Sequence, residues 1–125
     1  MRRWLVLCLL ILPLTSVEAK EWYEGIWAVS VRECSPLREG FTSRTVIDLE
    51  NSATGPILDQ YENHCRISGR TPVGTSVRLG LVCYEFWEDF NKRQSPRKTT
   101  VTIRKVSSDV MLLDGKRVRR CAENS

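Results

Sequence analysis

The placement of the cysteines most constrains what this chain can fold into. One of the five, Cys8, lies in an N-terminal apolar stretch; the other four are spread over the rest of the chain at Cys34, Cys65, Cys83 and Cys121. An even number of cysteines in a small exported domain is typical of paired disulfides. Because so small a domain buries only somewhat over ~60 % of its unfolded surface, cross-links worth roughly 2–4 kcal/mol each would carry much of its stability.

The N-terminus has the parts of a secretory signal peptide. Two arginines precede the apolar run Trp4–Leu12, and Val17-Glu18-Ala19 places small residues where signal peptidase reads them. The run is about half of the roughly 20 residues that a spanning helix needs, which favours a cleaved signal over an anchor. We predict a signal peptide over residues 1–19, the general secretory route, and a single domain over residues 20–125 without an integral membrane segment. Its location would be the bacterial periplasm or the extracellular space.

Turn signals separate short β-prone runs along the mature chain, a pattern typical of an all-β meander, barrel or sandwich. Strands are predicted at Gly25–Glu33, Thr45–Glu50, Ile57–Ile67 (with a bulge near Asn63), Val77–Glu85, Thr99–Val106, Val110–Leu113 and Lys116–Cys121. The last two flank Asp114-Gly115, the strongest short hairpin signal. The predicted fold is therefore a small antiparallel meander or barrel of about seven strands with two disulfides.

Alternation in the fourth run favours one disulfide pairing. Val77, Leu79, Leu81 and Cys83 occupy every second position and share one face of a strand. The segment Thr71–Gly74 has proline and glycine where a type I turn favours them. A hairpin centred near Gly74 sets Cys65 opposite Cys83. Four cysteines allow three pairings, and this register favours Cys65–Cys83, leaving Cys34–Cys121 to join the first and last strands.

Catalytic and metal-binding motifs are absent from the sequence. His64 is the single histidine, which excludes a zinc site built on two or three histidines. No nucleophile elbow, phosphate-binding loop, dinucleotide fingerprint or Cys-x-x-Cys pair occurs. We interpret His64 as a polar residue on the outer face of a strand. The expectation is no metal, no cofactor and no catalysis; the alternative is an enzyme with an unrecognised carboxylate site, for which Glu85 with Glu88 or Asp89 is the candidate pair.

An aromatic segment and the basic loop after it are the first candidate binding surface. The aromatic candidates are Tyr84, Phe86, Trp87 and Phe90, and the basic candidates are Lys92, Arg93, Arg97 and Lys98. If Cys83 points inward, Tyr84 and Phe86 leave the strand on the outer face. There they are either covered, by a folded-over loop or by Trp22-Tyr23, or exposed for a partner. The leading hypothesis is a non-catalytic binding or inhibitor-like domain with an unknown protein partner.

Charge is strongly segregated along the chain. Residues 20–91 hold 7 basic and 11 acidic side chains, whereas residues 92–121 hold 10 basic and 2 acidic ones. A candidate basic face near the C-terminus consists of Lys116, Arg117, Arg119 and Arg120. Such a face favours an acidic envelope polymer, anionic lipid headgroups or an acidic protein surface, and not nucleic acid, which an exported domain rarely meets. The second hypothesis is thus a structural envelope protein; alternatively, basic and acidic strands neutralise each other, with Arg119 and Arg120 near Glu33.

Several of these residues together resemble a known group of proteins. They are Gly25-Ile26-Trp27-Ala28, Cys34, Tyr61–Ile67, Leu81-Val82-Cys83, Asp114-Gly115 and Arg120-Cys121. In this combination the chain resembles small exported four-cysteine proteins of alphaproteobacteria, which implies a shared fold and a periplasmic setting. Its Gly-x-Trp strand and disulfide are also similar to those of small eight-stranded periplasmic metalloprotease inhibitors. The chain departs from them in its four mature cysteines and its N-terminal Lys20-Glu21-Trp22-Tyr23.

Overall fold

Alternating side chains along eight short strands close the chain into an antiparallel barrel. The computed structural model describes residues 20–35 and 43–122. The strands are β1 Gly25–Ala28, β2 Thr45–Asp48, β3 Ile57–Gln60, β4 Asn63–Val73, β5 Ser76–Tyr84, β6 Arg97–Lys105, β7 Val110–Leu113 and β8 Lys116–Arg120. Each strand pairs with the next, and β8 pairs back with β1. Each of the eight strands is therefore paired on both sides along at least part of its length, and the predicted all-β barrel is confirmed.

The eighth strand arises where one long third strand was predicted. Ile57–Ile67 is divided by a turn at Tyr61 and Glu62, and β3 pairs with β4 from Gln60 opposite Asn63 outward. Glu62 takes the left-handed conformation, with φ 49°, which glutamate rarely adopts. The predicted bulge near Asn63 is therefore a hairpin turn, and the Asn63 amide donates a hydrogen bond to Gln60 Oε1 across it.

The predicted register of the β4–β5 hairpin is confirmed, but its turn lies further along the chain. Cys65 is opposite Cys83 and Ile67 is opposite Leu81. A bulge then shifts the pairing, and the strands continue to Val73 opposite Ser76. Pro72 is tolerated within β4 because the pairing of β4 with β3 ends at Arg66, so its missing N–H removes no bond on that side.

Large apolar side chains fill the barrel interior. The most buried are Trp27, Ile47, Leu58, Leu79, Ile103, Met111 and Val118, and they belong to one core cluster. An eight-stranded barrel is just wide enough to be filled in this way. The clefts that could hold a ligand therefore lie on its outside.

Both predicted disulfides are present. Cys65–Cys83 joins β4 to β5 inside the core, and Cys34–Cys121 joins the end of the barrel's last strand to a 3₁₀ turn at Val31–Cys34. That turn ends the first strand earlier than predicted. Two disulfides indicate a non-reducing environment. The predicted signal peptide, residues 1–19, lies outside the described residues, and within these no helix is long and apolar enough to cross a membrane.

Candidate functional site

A short helix divides the aromatic segment into a covered half and an exposed half. Helix α1, Trp87–Lys92, packs on the outside of β4 and β5. Tyr84 and Phe90 are buried and meet edge to face, with ring centroids 5.7 Å apart. Phe86 and Trp87 remain 54 % and 43 % exposed. The cover considered for Tyr84 is thus provided by α1 itself, whereas Tyr23 belongs to the barrel core.

Arg66 fastens α1 to the barrel. Its guanidinium carbon lies 3.9 Å from the centre of the Phe90 ring. One terminal nitrogen donates to the Phe90 carbonyl at 3.1 Å, and the other to the Thr54 carbonyl at 2.9 Å. Because the bond to the Phe90 carbonyl links the helix backbone to β4, α1 has a defined position over the sheet.

His64 lies beneath the first residue of this helix. The imidazole and the Trp87 indole are stacked, with ring centroids 3.9 Å apart and planes 22° from parallel. His64 Nδ1 is 2.5 Å from Asp59 Oδ1, its register partner on β3. In the neutral ring, a proton on Nδ1 shared with Asp59 leaves Nε2 as a hydrogen-bond acceptor. His64 lies on the outer face of its strand, as predicted, but in a fixed pair and a stack that local sequence does not reveal.

A cleft of about 410 Å³ surrounds this stack, between the β3–β4 turn and the start of α1. Its lining residues are Arg44, Asp59, Gln60, Tyr61, Glu62, His64, Glu85, Phe86 and Trp87. Tyr61 and Phe86 are each 54 % exposed. The exposed carboxylates of Glu62 and Glu85 form no ion pair with a described residue. Aromatic walls with unpaired carboxylates suit a cationic group on an apolar stem.

The four basic candidates that follow the aromatic segment belong to two elements and have different contacts. Lys92 Nζ is 2.7 Å from Glu88 Oε1, four residues earlier on the helix. Arg93 ends α1 in the left-handed conformation, with φ 55°. Arg97 donates a hydrogen bond to Asn63 Oδ1 at 2.8 Å. Lys98 points outward from β6 beside Val82, so the predicted basic loop is divided between the end of α1 and the start of β6.

The predicted basic face near the C-terminus is divided as well. Arg120 turns inward: its guanidinium lies 4.3 Å from the Trp27 ring centre and donates to the Glu24 and Trp22 carbonyls. Arg117 and Arg119 are exposed on the outer side of β8, and Lys116 is exposed at the start of that strand. Arg78 on β5 and Arg104 on β6 also point outward and are exposed. Sequence reasoning missed these last two because they are distant in the chain.

Neutralisation of the basic strands by Glu33 is not seen. Arg119 lies opposite Ala28, and the Glu33 carboxylate accepts hydrogen bonds from the Ser43 backbone and hydroxyl. The carboxylate within 4 Å of Arg120 is Asp109, at 3.8 Å. Four outward arginines, Arg78, Arg104, Arg117 and Arg119, form no ion pair with any residue in the described ranges.

A second depression, of about 500 Å³, lies beside β1 and β2 and includes Glu24 and Arg120. Burial, followed by repulsion from Glu50, raises the pKa of the Glu24 carboxyl above its usual value. Two terminal nitrogens of Arg120 are engaged by backbone carbonyls, and no ring among the described residues lines the depression. The cleft at His64 and Trp87 therefore offers the more complete recognition chemistry.

Comparison with known proteins assigns no family. No family model matches the chain, and no curated protein or solved structure is significantly similar to it.

Proposed function

We propose that this chain is an exported, non-catalytic binding domain that holds a protein partner in the cleft between the β3–β4 turn and α1. The observation that carries the proposal is the stack of Trp87 on His64, whose ring is held by Asp59. Rings that are already fixed lose little entropy when a ligand binds. Tyr61 and Phe86 add exposed aromatic surface to the same cleft.

The charges of the cleft support a partner that inserts a basic side chain. A lysine or arginine has an aliphatic stem that packs on aromatic rings and a cationic head that reaches beyond them. Glu62 and Glu85 line the cleft with exposed carboxylates, and a cation over an exposed ring is itself worth about 0.5–1 kcal/mol. The described lining holds three carboxylates, Asp59, Glu62 and Glu85, against one arginine, Arg44, so charge and rings together favour a positive head over a negative one.

The lining residues support binding over catalysis. Asp59 and His64 are arranged like an orienting carboxylate and its base. However, the described residues that line the cleft include no serine, threonine or cysteine. Triad-type catalysis needs a serine, threonine or cysteine within hydrogen-bond reach of the base, so we explain the pair as a rigid floor for a ligand.

Export is proposed from the disulfides and the signal-like N-terminus. Cys34–Cys121 and Cys65–Cys83 require an oxidising compartment to form and persist. The periplasm or the extracellular space supplies it. The resemblance to small periplasmic protease inhibitors, which implies an eight-stranded barrel and a protein partner, agrees with this proposal.

Capture of partners from a cell-envelope extract tests the proposed function. The oxidised protein is recovered from the periplasm of an expression host and compared with Phe86→Ala and Val31→Ala. Val31 is exposed on the 3₁₀ turn and does not line the cleft, so its variant controls for loss of exposed apolar surface. We expect one protein to be retained by the wild type and by Val31→Ala, and lost from Phe86→Ala. Equal retention by all three proteins would contradict the proposal.

Calorimetry with defined peptides tests the charge preference. An arginine-rich peptide is expected to bind and a glutamate-rich peptide of equal length is not. Glu85→Gln should weaken binding of the basic peptide several-fold, on the order of 1 kcal/mol for a charged contact. Glu50→Gln is the matched control, since Glu50 is also exposed but does not line the cleft. Tighter binding of the acidic peptide would refute a cation-binding cleft.

A further inference from the structure

The outer side of β6, β7 and β8 presents arginine and aliphatic side chains in register. Arg104 on β6 lies opposite Leu112 on β7, which lies opposite Arg117 on β8. In the next row, Val110 lies opposite Arg119. We name these five residues the basic–aliphatic face. Neighbouring strands are about 4.8 Å apart, so arginines two strands apart are separated by roughly 10 Å and flank the aliphatic residues of β7.

No carboxylate neutralises this face from within its own strands. The sequences of β6, β7 and β8 contain no aspartate or glutamate. The nearby turns hold Asp114, which accepts a hydrogen bond from the Thr102 backbone, and Asp109, which lies beside Arg120. The three arginines of the face are exposed and form no ion pair with a described residue. The face is therefore a patch of net positive charge, with Asp114 beside Arg104 and Leu112 at one edge.

Exposed valines border the face on two sides. Val106 is 49 % exposed, and its backbone N–H bonds to the Val110 carbonyl, which continues the second row. Val73 is 43 % exposed and lies opposite Ser76, which lies opposite Arg104 in the first row. Aliphatic residues among arginines are suited to an interface where charge and hydrocarbon meet.

We propose that the basic–aliphatic face docks onto the surface of an anionic lipid bilayer. Guanidinium groups bind phosphate oxygens through paired hydrogen bonds. The valines and Leu112 then contact the boundary between headgroups and acyl chains. A hydrated acidic polymer would match the arginines but gives the aliphatic residues nothing apolar to contact, so the mixed composition favours lipid.

Docking in this orientation leaves the cleft facing away from the membrane. In a closed barrel of eight strands, β3 and β7 are four strands apart and thus on opposite sides. The cleft is built on β3, β4 and α1, whereas β7 is the centre of the basic–aliphatic face. This inference goes beyond the proposed function, since either surface can act without the other.

Cosedimentation with vesicles tests the docking. The oxidised protein from the periplasm is mixed with vesicles of phosphatidylcholine alone or with about 30 mol % phosphatidylglycerol. Binding is expected only to the anionic vesicles, and it should weaken steeply between about 20 mM and about 150 mM salt, because screening shortens the reach of exposed charges. Absence of binding to anionic vesicles at the lower salt would overturn the proposal.

Matched variants locate the docking surface. Arg104→Gln/Arg117→Gln removes two charges from the face, and Lys92→Gln/Arg93→Gln removes two charges around the end of α1. The first is expected to lower the partition coefficient on the order of 10- to 30-fold, and the second much less. Circular dichroism confirms that both variants are folded. Equal loss in the two variants would mean that net charge, and not this face, attracts the protein.

Binding to a soluble polyanion distinguishes a lipid surface from other acidic partners. Val106→Thr keeps the side-chain shape but removes an apolar methyl group, and it is expected to weaken vesicle binding several-fold. Binding of dextran sulfate should not respond to this substitution. If Val106→Thr leaves vesicle binding unchanged, the face is a general polyanion site and the membrane assignment fails.

Discussion

Arg119 and Arg120 are neighbours in the chain with opposite environments. Arg119 is exposed on the outer side of β8, whereas Arg120 lies over the Trp27 ring and donates to two backbone carbonyls at 2.6 Å each. A Cβ at Gly25 would meet Arg120 Nη1 at 2.7 Å, and φ there is +132°, so only glycine suits this approach. Alternation along the strand separates a structural arginine from a surface one.

Replacing these two arginines should have very different effects on stability. Arg120→Ala leaves the Trp22 and Glu24 carbonyls without their donors and is expected to lower the free energy of unfolding by about 2–4 kcal/mol. Arg119→Ala should change it by less than about 0.5 kcal/mol, as is usual for an exposed residue. Urea denaturation measures both. Similar losses in the two variants would be incompatible with the bonds described for Arg120.

Replacement of Glu24 by glutamine is expected to raise stability in a pH-dependent way. Burial and the nearby Glu50 raise the pKa of this carboxyl in the folded protein, so folding favours the protonated form. The stability contribution of Glu24 is therefore full below its ordinary pKa of 4.5 and is lost as the pH rises through the higher folded value. Glu24→Gln should raise the melting temperature at pH 7 and have little effect near pH 4. A gain confined to acid pH would contradict this sign.

At the scale of elements, α1 is a helix that local sequence does not predict. It has six residues, and its N-cap Phe86 makes no side-chain capping bond. So short a helix is not stable alone, and it forms here because Arg66 bonds to its backbone and Phe90 packs on Tyr84. The sequence pattern accordingly predicts no helix at these residues.

Strands were predictable where alternation or a glycine turn marks them. The run from Val77 to Cys83 and the turn at Asp114-Gly115 both have such signals, and their strands are confirmed. The β3–β4 turn has no such signal, because a glutamate, Glu62, and not a glycine adopts its left-handed conformation. This turn places Asp59 opposite His64, so missing it also hid the floor of the candidate site.

The end of α1 offers a test of backbone strain. Arg93 adopts φ 55° at the helix C-cap, where glycine avoids a cost of roughly 1 kcal/mol. Arg93→Gly should raise the free energy of unfolding by a few tenths to about 1 kcal/mol. Asn91→Gly, two residues earlier within the helix, should lower it by about 0.5 kcal/mol, because glycine is a poor helix former. A loss in both variants would show that the Arg93 side chain matters more than its conformation.

At the scale of the whole molecule, closure of the barrel and the disulfides tie together distant parts of the chain. Cys34–Cys121 spans 87 positions and Cys65–Cys83 spans 18. The longer link joins the region of the first strand to the end of the last, where β1 pairs with β8. It thus stabilises the contact that closes the barrel.

Loop entropy predicts that loss of Cys34–Cys121 lowers the free energy of unfolding more than loss of Cys65–Cys83 does. Cys34→Ser/Cys121→Ser is expected to lower the free energy of unfolding by about 4 kcal/mol, against roughly 3 kcal/mol of loop entropy for Cys65→Ser/Cys83→Ser. Both pairs are buried, so cavity effects add to the measured cost of each. Hydrogen exchange should show faster opening at β1 and β8 in the first variant. Unchanged protection of those strands would contradict a role for Cys34–Cys121 in barrel closure.

The most direct test of the central claim is an NMR titration of the oxidised protein with an arginine-rich peptide. Trp87 lines the cleft, whereas Trp27 is buried in the barrel core and its indole N–H donates to the Tyr23 carbonyl at 3.0 Å. We predict shifts at Trp87 and His64 that saturate with peptide, while the Trp27 signal stays unchanged. Saturable binding that leaves the Trp87 and His64 signals in place would show that the cleft is not the binding site.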